Sequence, residues 1–304
     1  MKSTTVRRVT LSIALTTALT GVAACSSSGG SGSPGQDDKA GHKGTTHVSP
    51  IAALRSAEKS TDNADSAKVE STTTMGTLMS MKADGVMGWS DGLTGTMTIT
   101  YTGGTMADTM RQTGSTSMQA RYLPDAYYAK MSDTFARQAG GKHWIKYAYD
   151  DLAKVAGGSG AYLKDQMQNT TPNQSVKLLL ASGDVTKVGE ETVRGEKTTH
   201  YSGTVDVADL ATKSSNLSAS QLADLKRQLT AAGVSTEKVD IWVNGDDLLV
   251  KKVEKGELST GTMSSTAYYS DYGVKASATE PPAGDTADFK DLVKSQGSTG
   301  GTTS

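Results

Sequence analysis

Residues 96–102 read TMTITYT, with Met97, Ile99 and Tyr101 on one parity and threonine on the other. A helix would scatter those apolar positions around its circumference, whereas an extended strand gathers them on one face. The same period runs through Val69, Met75, Met79 and Met81. The ADG at 83–85 is read as a turn, after which Met87 and Trp89 continue the pattern. TSMQARY (116–122) and YYAKM (127–131) follow with turns between them. Short alternating runs in sequence order predict an antiparallel meander with one apolar face.

Other elements frame that meander. Ser49 as N-cap and Pro50 at the first helical position open a helix with Ile51, Leu54 and Ala57 on one face. The middle segments DDLAKVA (150–156), AYLKDQMQ (161–168) and TPNQSVKLLLASG (171–183) read as small helices across the open side of a sheet. Strands return at 185–207, with RGE as a hairpin turn. A helix is expected over 217–233, capped by Ser218, with Leu222, Leu225 and Leu229 in one stripe and Gly233 as its stop. A hairpin around Asn244 and Gly245 follows, then a strand near 265–273. The expected class is α+β: a large curved antiparallel β-sheet, a half-barrel, with helices covering its concave face.

The N-terminus carries a different instruction. Lys2, Arg7 and Arg8 precede a mostly apolar run at 9–24, the charge order and length of a secretory signal peptide and short of a membrane span. Val22, Ala23, Ala24 and Cys25 resemble the bacterial lipobox, whose cysteine receives a diacylglyceryl group and becomes the mature N-terminus. Cys25 is the only cysteine, so a disulfide within the chain has no second partner. Residues 26–48 are almost devoid of apolar side chains and read as a flexible tether; its 23 residues reach roughly 25 Å root-mean-square. The expected organisation is a signal peptide at 1–24, lipidated Cys25 and tether at 25–48, one folded domain at 49–293 and a disordered tail at 294–304.

Together with the lipobox and tether, HWIKYAYDDL (143–152), the stretch 178–210 and VDIWVNGDDLLVKKV (239–253) resemble the LppX/LprG family of actinobacterial lipoproteins. The resemblance covers residues from about Pro50 to Pro282. It implies a fold similar to the periplasmic carrier LolA, a curved half-barrel with an apolar cavity under its helices, and a lipid or lipidated glycan as ligand. It supplies no catalytic residue and no cofactor.

The remaining signals are weaker. GWSDG at 88–92 matches a nucleophile-elbow spacing around Ser90, with His200 as a conceivable base, but a strand pattern follows where the elbow needs a helix. Four histidines, two of them in the tether, do not make a metal site once the cysteine is committed to lipid. Removing residues 1–24 shifts the balance to 28 basic against 32 acidic side chains, which offers no basic field to nucleic acid. Nine of the twelve methionines fall between Met75 and Met131. Methionine suits surfaces that adapt to variable apolar ligands, and it equally suits an ordinary core. The candidate ligand face is Met75, Met79, Met81, Met87, Met97, Ile99 and Tyr101. The expectation is a non-enzymatic lipoprotein on the extracytoplasmic face of the cell membrane, binding a lipid or other apolar ligand. An interaction protein with a filled core, or a serine hydrolase, are the alternatives.

Overall fold

Ser49 is extended and its Oγ accepts from the Ala52 amide at 3.2 Å, so α1 (Pro50–Asn63) begins where the cap and proline dictate. Leu54, Ala57 and Thr61 form its buried side. The computed structural model describes residues 49–298, apart from 153, 155–170, 183, 210–222, 224–225, 227–228, 231–232 and 259–260. Cys25, the signal segment and the tether lie outside the described residues, as do 161–168 and most of the helix read at 217–233.

Among the described residues, twelve strands follow α1: β1 (Ser66–Met75), β2 (Met79–Gly88), β3 (Thr94–Gly103), β4 (Ser117–Tyr122), β5 (Ala126–Lys130), β6 (Trp144–Ala148), β7 (Thr186–Val193), β8 (Glu196–Asp206), β9 (Val234–Asn244), β10 (Leu249–Leu258), β11 (Gly261–Ser270) and β12 (Thr286–Asp288). The helices among them are α2 (Gly104–Gln112), α3 (Asp133–Gln138), α4 (Asn173–Ala181) and α5 (Phe289–Ser298). The strands make one open sheet in the order β12-β6-β5-β4-β3-β2-β1-β11-β10-β9-β8-β7. The α+β class and the large sheet stand as the sequence predicts. The sheet is mixed by one pair, because β12 runs parallel to β6. A parallel neighbour needs a crossing connection. Residues 271–285 supply it as a strap, held by Gly273 N to Ser66 O (3.0 Å), Ser66 Oγ to Val274 O (2.6 Å) and an Arg121 guanidinium bond to Thr279 O (2.8 Å).

Several local expectations change. Ala83, Asp84 and Gly85 lie inside β2, and the reversal falls at residues 76–78, where Gly76 takes φ 48°. Gly85 serves close strand approach instead: a Cβ there would stand 2.0 Å from Thr96 O, and one on Gly95 would stand 2.1 Å from Val86 O. Between β9 and β10 the positive φ belongs to Asp247 (59°), not Gly245. Asn244 Oδ1 accepts from the Asp246 and Leu248 amides and so lengthens the loop beyond two residues. The hairpin turn expected at RGE is present, and its loop is the two residues Arg194 and Gly195, both with positive φ. Helix α2 was not anticipated; it is nine residues long and buries only Ala107. Helix α5 runs to Ser298, past the domain boundary read at 293.

Candidate ligand-binding face

Register decides which side chains share a face. Across β1 and β2, Met75 faces Met79 and Ala67 faces Met87; across β2 and β3, Met81 faces Tyr101, Ala83 faces Ile99 and Gly85 faces Met97. The seven residues singled out in the sequence therefore project from one side of the sheet. Met118, Ala120 and Tyr122 of β4 continue that side, then Tyr127 and Ala129 of β5 and Ile145 and Tyr147 of β6. Leu54 and Ala57 of α1, Val176 and Leu179 of α4 and the helical residues Tyr149 and Leu152 pack into the same core.

Depth divides the seven. Met87, Met97 and Ile99 are buried in the core cluster, while Met75, Met79, Met81 and Tyr101 are half-buried. Met75 borders an open depression of about 250 Å³ together with Gly76, Thr77, Leu78, Leu258 and Gly261. Burial along the methionine face thus falls from Met87 and Met97 towards the strand ends at Met75 and Met79.

An aromatic run beside these methionines escaped the sequence reading. Tyr122 and Tyr127 meet edge to face at 5.0 Å between centroids, while Tyr127 and Tyr147 (5.6 Å) and Tyr147 and Phe289 (4.8 Å) are tilted pairs. Burial pushes the Tyr122 and Tyr147 phenols up to about 12, and Tyr127 well above its ordinary value. They act at physiological pH as neutral hydrogen-bonding groups on an apolar wall. Tyr149 is 2% exposed and its hydroxyl has no hydrogen-bond partner among the described residues. Alternation is the signal that could have found them. Adjacent pairs such as Tyr127 and Tyr128 leave open which ring points inward until the register is known.

A charged cluster on the same face was also missed. Lys252 of β10 faces Ile241 and Ala267, Glu254 faces Val239 and Ser265, and Glu237 of β9 faces Gly256. Lys252 Nζ donates to Ser175 Oγ of α4 at 2.8 Å and lies 3.2 Å from Glu254 Oε2. Burial, and then the Glu254 carboxylate, push Glu237 up to about 7 against the pull of Lys252. Burial would lower Lys252, but the surrounding acid groups hold it above the usual lysine range. The string VKKVEKGEL invites an inward Val253, yet Val253 packs on the opposite side with Val193, Trp242, Val250 and Tyr268.

The hydrolase geometry is not assembled. Ser90 is exposed and bridges to Gly92, and β3 follows without a helix. His200 lies in β8, stacked on Trp242 at 4.2 Å and 2.9 Å from Asp240. Five steps in the sheet order separate β8 from β2, about 24 Å at the usual strand spacing. His143 ties β6 to the strap through Asp285, with ring and backbone nitrogens at 2.7 and 2.9 Å from Oδ1. Among the described residues, no group of three His, Cys, Asp or Glu side chains could hold a metal. No helix among them is long and apolar enough to cross a membrane.

No family model matches the chain. A 31.2 kDa protein of Streptomyces griseus, from the rplA–rplJ intergenic region, is 58% identical over 258 residues, covering 84% of this chain and 85% of its own. A Streptomyces coelicolor protein bearing the name "Putative lipoprotein" is 51% identical over 317 residues, covering 98% of this chain and 100% of its own. Similar solved structures include Mycobacterium tuberculosis lipoprotein LppX, with a TM-score of 0.44, 16% identity, and coverage of 76% of this chain and 98% of that one. LprF from Mycobacterium bovis has a TM-score of 0.42, 16% identity, and coverage of 77% and 97%. On this identity and coverage, the chain belongs to the same family as these two Streptomyces proteins, the second of which is named as a lipoprotein.

Proposed function

We propose that this is a membrane-anchored extracytoplasmic lipoprotein, held through diacylglyceryl-Cys25, that carries a lipid or other apolar ligand against the inner face of its sheet. The observation that carries this reading is the row of half-buried apolar side chains, Met75, Met79, Met81 and Tyr101, leading to an open depression. Apolar strand positions on an inner face normally finish buried. These stop short of burial, which leaves area for acyl chains to cover. Holding a chain there needs no reaction, since each methylene removed from water contributes about 0.8 kcal/mol. Met87, Met97 and Ile99 would form the floor below the ligand. Their full packing also favours a second reading, an envelope interaction protein with a filled core.

Replacing Met79 and Met81 together with glutamate tests the choice. Both are half-buried, so the sheet should survive while acyl-chain binding falls. Unchanged lipid uptake in the folded double variant would defeat this site assignment.

A further inference from the structure

The turns at the two ends of the central strands differ in composition. At one end stand Asp65 before β1, Asp91 before β3, Asp125 before β5, Asp246 and Asp247 before β10, and Asp271 after β11. At the other end of the central strands, residues 75–81, 103–107, 258 and 261–265 carry no charge of their own, and exposed Lys82, Asp108 and Glu257 flank them. Apolar side chains protrude there: Leu78 is 49% exposed and Met106 37%, beside the depression bordered by Met75 and Leu258. That depression, about 250 Å³, is smaller than the roughly 300–1,000 Å³ of a pocket enclosing a whole small ligand. Its size suits an entrance.

The protrusion is fixed in place. Leu78 O accepts from the Met106 amide at 3.0 Å and from Thr105 Oγ1 at 3.2 Å, and Thr77 O accepts from the Thr105 amide at 3.1 Å. Gly76 N donates to Thr262 O at 2.9 Å, joining the two strand turns. Gly104, at φ 81°, lets α2 press on this turn, because a Cβ would stand 2.6 Å from the Leu78 carbonyl. A rigid exposed apolar tip marks a surface that meets something apolar.

Chain geometry brings the start of the folded domain to the same half of the molecule. Asn173 Nδ2 donates to Asp62 at 2.9 Å and Lys177 lies 3.8 Å from Glu58, so α1 and α4 are antiparallel. The start of α1 therefore lies by the end of α4, where a Cβ on Gly203 would meet Ser182 Oγ at 2.5 Å. Gly203 is near the end of β8, which points the same way as β1. Ser49, where the described chain begins, therefore lies in the half that carries these turns.

We propose that this end of the sheet rests on the lipid bilayer, with Leu78 and Met106 in its interfacial layer and the depression opening between them and the acyl region. The contact goes beyond the carrier reading and takes from it only the nearby membrane. A tether reaching roughly 25 Å keeps the domain at high local concentration over the surface, so a modest apolar contact is enough to orient it.

The test uses the full lipidated chain on phosphatidylcholine vesicles, with or without phosphatidylglycerol, containing lipids with an acyl-chain quencher. Leu78→Cys and Met106→Cys each carry an environment-sensitive fluorophore, with Asp246→Cys at the acidic end as the reference. The expected result is loss of fluorescence at positions 78 and 106 and not at 246, equal on both vesicle types. It should persist when salt shortens the Debye length to about 3 Å, because no ion pair is involved. Equal quenching at all three positions, none at 78 and 106, or quenching abolished by salt would overturn the proposal. Lipid bound by the protein with position 78 unquenched defeats the docking alone. Quenching at 78 and 106 without bound lipid upholds the docking and defeats the carrier reading.

Discussion

Glu237 offers a quantitative check on the interior. It is buried, faces the sheet's inner side near Glu254 and Lys252, and titrates at about 7 where 4.5 is ordinary. Below 4.5 the group is protonated whether the chain is folded or not. Between 4.5 and 7 only the folded chain holds the proton, so stability falls as pH rises across that window and stays reduced above it. The gap corresponds to about 3 kcal/mol, since each pH unit is worth about 1.4 kcal/mol. Glu237→Gln removes the ionisation and keeps the shape. Urea unfolding followed by tryptophan fluorescence at pH 5 and pH 8 measures the effect as a difference of differences, in which other titrating groups cancel. The variant should lose less stability than the parent over that interval, by up to about 3 kcal/mol. Equal losses would refute the reasoning, and a larger loss in the variant would mean that ionised Glu237 stabilises the fold through Lys252.

Gly85→Ala drives a Cβ to within 2.0 Å of Thr96 O, so thermal or urea unfolding should show a loss of about 3 kcal/mol; an unchanged midpoint would mean that β2 and β3 part easily. Tyr149→Phe deletes a buried hydroxyl that has no partner among the described residues, so stability should hold or rise by about 1 kcal/mol. A clear loss by the same measurement would reveal an acceptor for that hydroxyl. Cys25→Ser should give an intact mass without acyl chains, whereas the parent mass should show loss of residues 1–24 and gain of two or three chains. An acylated serine variant would contradict the assigned anchor.

The parts legible in the sequence were those fixed by local chemistry. Ser49 and Pro50 marked the first helix, Arg194 and Gly195 marked a hairpin, and alternation placed Met97, Ile99 and Tyr101 on one face. Gly85 misled because a glycine needed for close strand approach looks in sequence like one needed for a turn. The charged cluster was hidden because Lys252 and Glu254 are inward only in the register that gives Val253 an outer partner in Trp242. Long-range pairing sets that register, and so does the inward choice among neighbouring tyrosines. β12 was unreadable for a similar reason: three residues become a strand only because the strap brings them beside Trp144 and Ile145.

The most direct test of the central claim is native mass spectrometry of the mature chain carrying Cys25→Ser, purified without detergent and then offered mixed envelope lipids. Acyl chains should bind against the half-buried methionine face without help from the anchor, since that face lies on the folded strands and Cys25 lies upstream of them. The account predicts discrete added masses equal to one lipid per chain, lost when Met79 and Met81 are both glutamate. A bare polypeptide under all lipid conditions, with the wild-type methionines in place and the sheet folded, would contradict it.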